Sequence, residues 1–252
     1  MGYFRPTDMN HICQGDVESV SSLVPDFPGR WSTFFTAIFA SSVSLVHFFT
    51  AKGVRTSLPS GHEFHCRKQL EHRGFQIVEV AIVNQDGQVL YQSLCKPDIA
   101  MPSSAAEVSG ITDAQLASAP TFTQIWPSLV QMLASTEAPI YTWNADFDRQ
   151  ALLLTAKRFQ LPVPAAISDK NRWRCAMKLH ARWYGEWSNG KNDYRYQSLE
   201  WACTELGIEE GGYHRAIGDA LNALRVLRAI GSRAGKYPPP ADMPYFQRYY
   251  GD

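Results

Sequence analysis

The chain has 252 residues, enough for one sizeable domain with extensions. Its 24 basic and 24 acidic residues cancel to a formal net charge of zero, so no global field draws it to nucleic acid and any basic surface must be local. Five cysteines (13, 66, 95, 175 and 203), odd in number and without a Cys-x-x-Cys pair, argue against a disulfide framework or a zinc site and fit free thiols in a reducing, cytoplasmic compartment.

In chain order, residues 1–30 show no clear periodicity. Residues 31–51 form an apolar run bounded by Arg30 and Lys52, close in length to the roughly 20 residues of a membrane span. Seven serines and threonines and His47 dilute it. A membrane anchor is therefore not expected, and a buried strand or helix fits at least as well. Were it to span, Lys52 and Arg55 would favour a cytoplasmic C-terminal side. Residues 52–74 are polar and predict no element.

From Phe75 onward the pattern sharpens. Ile77–Val83 is a β-rich run, Gln85-Asp86-Gly87 a turn, and Gln88–Leu94 a second strand, which together predict a hairpin. Residues 96–120 predict a loop region with a short helix near Thr112–Leu116. Phe122–Leu133 predicts a helix despite Pro127, Pro139–Trp143 a short strand, and Asp148–Phe159 an apolar helix. Further helices are expected at about 175–185, 197–206 and 218–231, the last from the spacing of Ala220, Leu221, Leu224, Leu227 and Ile230. Strands followed by alternating helix and strand predict an α/β domain with a mixed sheet. The division expected is an N-terminal extension over 1–62, a domain over 63–233 and a Pro- and Tyr-rich tail over 234–252.

Two stretches carry chemistry. In the first, His214 precedes a helix and Asp219 follows five residues later, after a loop loosened by Gly211 and Gly212. A mobile imidazole beside a fixed carboxylate suits metal-assisted hydrolysis. A helix-dipole aspartate and a solvated histidine would leave the same trace. In the second, Trp143-Asn144-Ala145-Asp146-Phe147-Asp148 follows a strand and opens a helix, where catalytic groups of open α/β sheets gather. If the two helix starts converge, Asp148 and Asp219 offer the oxygen ligands that Mg²⁺ or Mn²⁺ takes. N-capping accounts for one of Asp146 and Asp148, but not for the pair together with the distant His-x4-Asp.

The strand–NADFD–helix segment and the HRAIGDA helix resemble the second and third motifs of the DEDDh 3′–5′ exonucleases, which include DNA polymerase III epsilon-like proofreading subunits and the ribonuclease T type. Ile77–Val83 with the Asp86-Gly87 turn, Ser109-Gly-Ile-Thr112 and Ala119-Pro120-Thr-Phe122 follow that family's usual progression, so the resemblance covers about residues 75–231. It implies a ribonuclease-H-like mixed sheet flanked by helices. It further implies Asp148 and Asp219 as metal-binding carboxylates, His214 as general base, and Asn144 and Phe147 as shapers of the substrate site. The implied cofactor is a pair of Mg²⁺ or Mn²⁺ ions. The implied substrate is a single-stranded 3′ end of DNA or RNA, released as nucleoside 5′-monophosphates, with a polymerase or other protein as a further partner.

One part of the pattern is missing. The family begins with a strand bearing Asp-x-Glu and then Thr-Thr-Gly, roughly ten residues before the Ile-Val-Glu-Val strand. Here that place reads Phe64-His-Cys-Arg-Lys-Gln-Leu-Glu-His-Arg-Gly74. Glu63 and Glu71 lack the spacing, and Glu79 reads as structural. His62, Glu63, His65 and Cys66 have no matching ligand pair downstream and read as a chance cluster. The lost strand is central in the family, and Val43–Phe49 is the expected replacement, bringing no carboxylate. Weak metal binding and poor turnover are expected, which keeps open a rival reading: an exonuclease-fold module that binds nucleic acid or protein without cutting. A one-base shift of the codons for Lys68–His72 can encode Glu-Thr-Thr-Gly-Thr when the Arg67 codon ends in G. A frameshift before residue 75 is thus a further expectation, which the nucleotide sequence decides.

Lys170, Arg172, Arg174, Lys178 and Arg182 lie among Trp173, Trp183, Tyr184 and Trp187. The interleaving suits a nucleic acid single strand, by phosphate attraction and base stacking. It equally suits an amphipathic helix with aromatic core and solvated charge.

Overall fold

The computed structural model describes residues 47–54, 76–101, 103–188, 192–209 and 214–232. The expectations for residues 31–46, the His62–Cys66 cluster, the Lys68–His72 codons, the Gly211-Gly212 loop and the tail lie outside the described residues. Among the described residues, no helix is long and apolar enough to cross a membrane.

The main sheet has five strands in the order β3-β2-β1-β4-β5, formed by β1 (His47–Val54), β2 (Gln76–Val83), β3 (Val89–Leu94), β4 (Ile140–Thr142) and β5 (Trp173–Cys175). β1 runs antiparallel to β2 and parallel to β4, β3 is antiparallel to β2, and β5 is parallel to β4. The sheet is therefore mixed and flanked by helices, as expected. The central place belongs to His47–Val54; of the expected Val43–Phe49, His47, Phe48 and Phe49 lie in it and residues 43–46 lie outside the described residues.

β2 is buried along its whole length. A strand covered on both faces loses the apolar–polar alternation of a half-buried one, which explains the unbroken run Ile-Val-Glu-Val-Ala-Ile-Val. β3, at the sheet's edge, has no fully buried residue: Val89 and Gln92 are exposed and the other four are half-buried. The turn joining them is built by Asn84, whose Oδ1 accepts the N–H groups of Asp86 (3.0 Å) and Gln88 (2.9 Å). Gly87 sits at φ +83°, a conformation that costs glycine nothing.

The helices are α1 (Ser103–Ser109), α2 (Asp113–Ala117), α3 (Phe122–Ala134), α4 (Ala145–Arg158), α5 (Ala165–Ser168), α6 (Ala176–Tyr184), α7 (Leu199–Leu206) and α8 (Ala216–Gly231). A 3₁₀ turn over Lys170–Arg172 precedes β5, and a small hairpin of β6 (Trp187–Ser188) and β7 (Asp193–Tyr194) lies between α6 and α7. α3 keeps Pro127 inside it and starts from a capping box in which the Gln124 side chain reaches back to the Thr121 N–H.

Two apolar layers sandwich the sheet. In one, Val80 and Ile82 of β2 meet Ile125, Leu129 and Leu133 of α3 and Ala151, Leu152 and Ala156 of α4. In the other, Val83 and Tyr141 meet Ala220, Ala223, Leu224 and Leu227 of α8 and Leu199, Ala202, Cys203 and Leu206 of α7. α4 and α8 thus press on the sheet from opposite sides, and both reach β1 and β2. Each fully buried leucine in these layers contributes about 1.5–3 kcal/mol relative to exposure.

Candidate active site

α4 opens directly after β4. Its N-cap is Asn144, whose Oδ1 accepts the Phe147 N–H at 3.2 Å. The cap therefore belongs to Asn144 and to neither aspartate, and the helix begins at Ala145, three residues earlier than expected. Asp146 is exposed and pairs with Lys178 of α6 at 3.1 Å. Asp148 is 5% exposed. Its Oδ2 accepts the hydroxyl of Thr142, the last residue of β4. A carboxylate buried this deeply needs polar partners to stay charged, and the strand end supplies one. Phe147 is half-buried against the α3–α4 layer.

The second candidate segment is the start of α8. Glu79, in the middle of β2 and fully buried, accepts Arg215 Nη2 (2.8 Å) and Nε (3.1 Å) and the Ala216 backbone N–H (2.8 Å). The pairing raises the Arg215 pKa above its ordinary value, chiefly through the hydrogen bond to Glu79. One buried carboxylate thus satisfies an orphan N–H of the helix start and complements its dipole. His214, exposed, comes immediately before, held at φ +63° in the left-handed region. Asp219 is half-buried in the first turn, its N–H donating to the Arg215 carbonyl at 3.0 Å.

Strand register relates the two segments. β4 pairs Ile140 with His47 and Tyr141 with Phe48, so the next step sets Thr142 abreast of Phe49. Across the sheet Glu79 pairs with Lys52. The anchor of Asp148 and the anchor of α8 therefore lie three residues apart along β1, about 10 Å at the rise of a strand. The stretch of β1 between them reads Phe49-Thr50-Ala51-Lys52, and no residue of His47–Val54 is acidic. Asn144, Phe147 and Asp148 gather at one helix start, and His214 and Asp219 at the other. Among the described residues no three His, Cys, Asp or Glu side chains come together to hold a metal ion, so Asp148, Asp219 and His214 form no such group. The donors present among the described residues do not make up a two-ion centre.

Residues 62–227 match the RNase T family of exonucleases. The chain belongs to the DEDDh, RNase T-like 3′–5′ exonuclease family. Within the family it is 31% identical over 157 residues to the uncharacterized exonuclease CP81 of Escherichia phage 186, covering 62% of this chain and 79% of that protein. The fold is also that of the nuclease domain of 3′hExo, a DEDDh family member solved bound to rAMP, with a TM-score of 0.57, 16% identity, and coverage of 79% of this chain and 97% of that one. S. pombe Pop2p, solved with Mg²⁺ and Mn²⁺ bound, gives a TM-score of 0.53 at 14% identity over 87% of this chain and 92% of that one.

Sequence reasoning did not single out Thr142, since a threonine ending a short strand carries no signal of its partner. Of the interleaved basic and aromatic residues, two are structural. Trp173 is buried and donates its indole N–H to the Ile167 carbonyl at 2.9 Å. Arg172 donates to the carbonyls of Leu133 (3.1 Å), Thr136 (2.7 Å), Ala138 (2.9 Å) and Ala166 (2.5 Å), and burial lowers its pKa. It fastens the end of α3 to the entry of β4.

Proposed function

We propose that this chain engages the single-stranded 3′ end of DNA or RNA and hydrolyses the terminal phosphodiester slowly, as a metal-dependent 3′–5′ exonuclease weakened by loss of its first acidic motif. The observation that carries the reading is the pair of helix starts, NADFD on α4 and HRAIGD on α8, whose anchors lie on the two strands flanking β1 and about 10 Å apart measured along it. In this reading Asn144 and Phe147 shape the pocket for the terminal nucleotide. His214, exposed just before the helix, takes the proton of the attacking water. Asp148 and Asp219 are hard oxygen donors of the kind Mg²⁺ and Mn²⁺ accept, but without a carboxylate on β1 they hold an ion weakly.

That no three-donor group forms among the described residues favours a second reading, in which the same fold binds a nucleic acid end without cutting it. Labelled single-stranded DNA and RNA incubated with Mg²⁺ or Mn²⁺ separate the two. Shortening from the 3′ end that stops on chelation and in Asp219→Ala supports the enzyme. Retention of the strand at full length supports the binding module, and failure to bind either strand removes both.

A further inference from the structure

We propose that Trp201, the outermost of a set of packed aromatic rings leading away from Asn144, binds an unpaired base of a nucleic acid single strand by stacking. The inference rests on the nucleic-acid reading above and adds a subsite distant from the cleaved end.

The rings are continuous. Trp143, one residue before the α4 cap, lies 5.8 Å from the His180 ring of α6. His180 stacks on Tyr184 at 6.1 Å and 13° and stands 6.0 Å from Trp201 of α7. Tyr184 meets Trp201 edge-to-face at 4.9 Å and 89°. The inner end is fixed to the site, because the Trp143 carbonyl accepts the Met177 N–H at 3.0 Å and so joins the start of α6 to the entry of α4. The burial is graded: His180 is fully buried, Trp143 and Tyr184 are half-buried, and Trp201 is 36% exposed.

The core does not require Trp201. The buried stripe of α7 is Leu199, Ala202, Cys203 and Leu206, and Trp201 lies outside it. Trp201 makes edge-to-face contacts with both Tyr184 and His180 and still keeps 36% of its surface exposed, and that exposed part of the indole is what a flat, apolar partner would meet. Its neighbours hold the ring in place, so stacking on it costs little additional ordering. The partner committed to is an unpaired base, since a duplex hides its base faces. Arg182, in the last turn of α6, adds positive charge for the phosphates of such a strand, whereas the charge of Lys178 is already met by Asp146.

The test uses the full chain in chelator, so that no strand is cut. A fluorescein-labelled twelve-nucleotide single strand, as DNA and as RNA, is titrated and followed by anisotropy. Trp201→Phe and Trp201→Leu both fill the space, but only phenylalanine keeps a π face. The expected result is a Kd within about threefold of the parent for Trp201→Phe and about tenfold weaker for Trp201→Leu, with identical thermal unfolding of the two variants. Equal affinity of parent and both variants overturns the platform and leaves the exonuclease reading standing. No binding of either strand by the parent chain overturns that reading and the platform with it.

Discussion

Glu79 grips the start of α8 through Arg215, accepting both its Nε and its Nη2 while also taking the Ala216 N–H. The carboxylate side chain is 1% exposed and the guanidinium side chain 35% exposed, so the two partners are not equivalent. Arg215→Ala strands a buried charge and is expected to cost about 3 kcal/mol or more. Glu79→Gln keeps an acceptor for the helix N–H and leaves an arginine that water can reach, so it is expected to cost less. Urea unfolding of the two variants checks the order. The reverse order would mean that the carboxylate is not the helix's anchor.

Thr142 and Asp148 make a second such pair. Thr142→Val keeps the shape of the strand end and removes the hydroxyl donated to a buried carboxylate. The expected loss is about 1.5–3 kcal/mol, as for other hydrogen bonds to charged groups. Thermal unfolding measures it. Asp148→Asn in the Thr142→Val background tests the coupling: if the charge is what the hydroxyl serves, the asparagine recovers part of the loss.

His214 holds φ +63°, where a side chain costs roughly 1–2 kcal/mol and glycine almost nothing. His214→Gly is expected to raise stability by about 1 kcal/mol, less the extra freedom that glycine gives the unfolded chain. Any metal-dependent shortening of single strands is expected to disappear in the same variant. A variant that loses stability would show that the imidazole itself holds the loop.

Burial pushes the Cys95 thiol up to about 12, with the charge of Asp98 acting in the same direction. The unfolded chain therefore releases this proton more readily than the folded one. The stability tied to the neutral thiol is intact below about pH 9 and declines as pH rises toward 12. Cys175, Tyr91 and Tyr194 are shifted the same way by burial. Urea midpoints measured from pH 8 to 11 are expected to fall, and Cys95→Ala to flatten part of that fall. A midpoint rising through this window would contradict the burial of the thiol.

The sequence is legible where a turn or a period speaks. Gln85-Asp86-Gly87 marks the hairpin, and the α8 leucines mark their helix to within two residues at its start. Legibility fails at short elements. β5, β6 and β7 have two or three residues each, too few to show any period, and α1 reads Ser-Ser-Ala-Ala-Glu-Val-Ser with no apolar face to detect. The start of α4 is displaced because Asn144, Asp146 and Asp148 are all good capping residues, and only the fold shows which of them caps. The two helix starts that carry NADFD and HRAIGD could be placed from the sequence, but the grip of Glu79 on Arg215 joins positions 136 apart in sequence, and nothing local announces it.

A practical rule for expression follows from the position of β1. The family match begins at residue 62, which makes that point an inviting place to trim the polypeptide. A fragment cut there would keep NADFD and HRAIGD yet lose β1, the strand that joins β2 to β4 among the described residues, leaving two half-sheets with unzipped edges. Insolubility of such a fragment would reflect the choice of starting codon and say nothing about the parent protein.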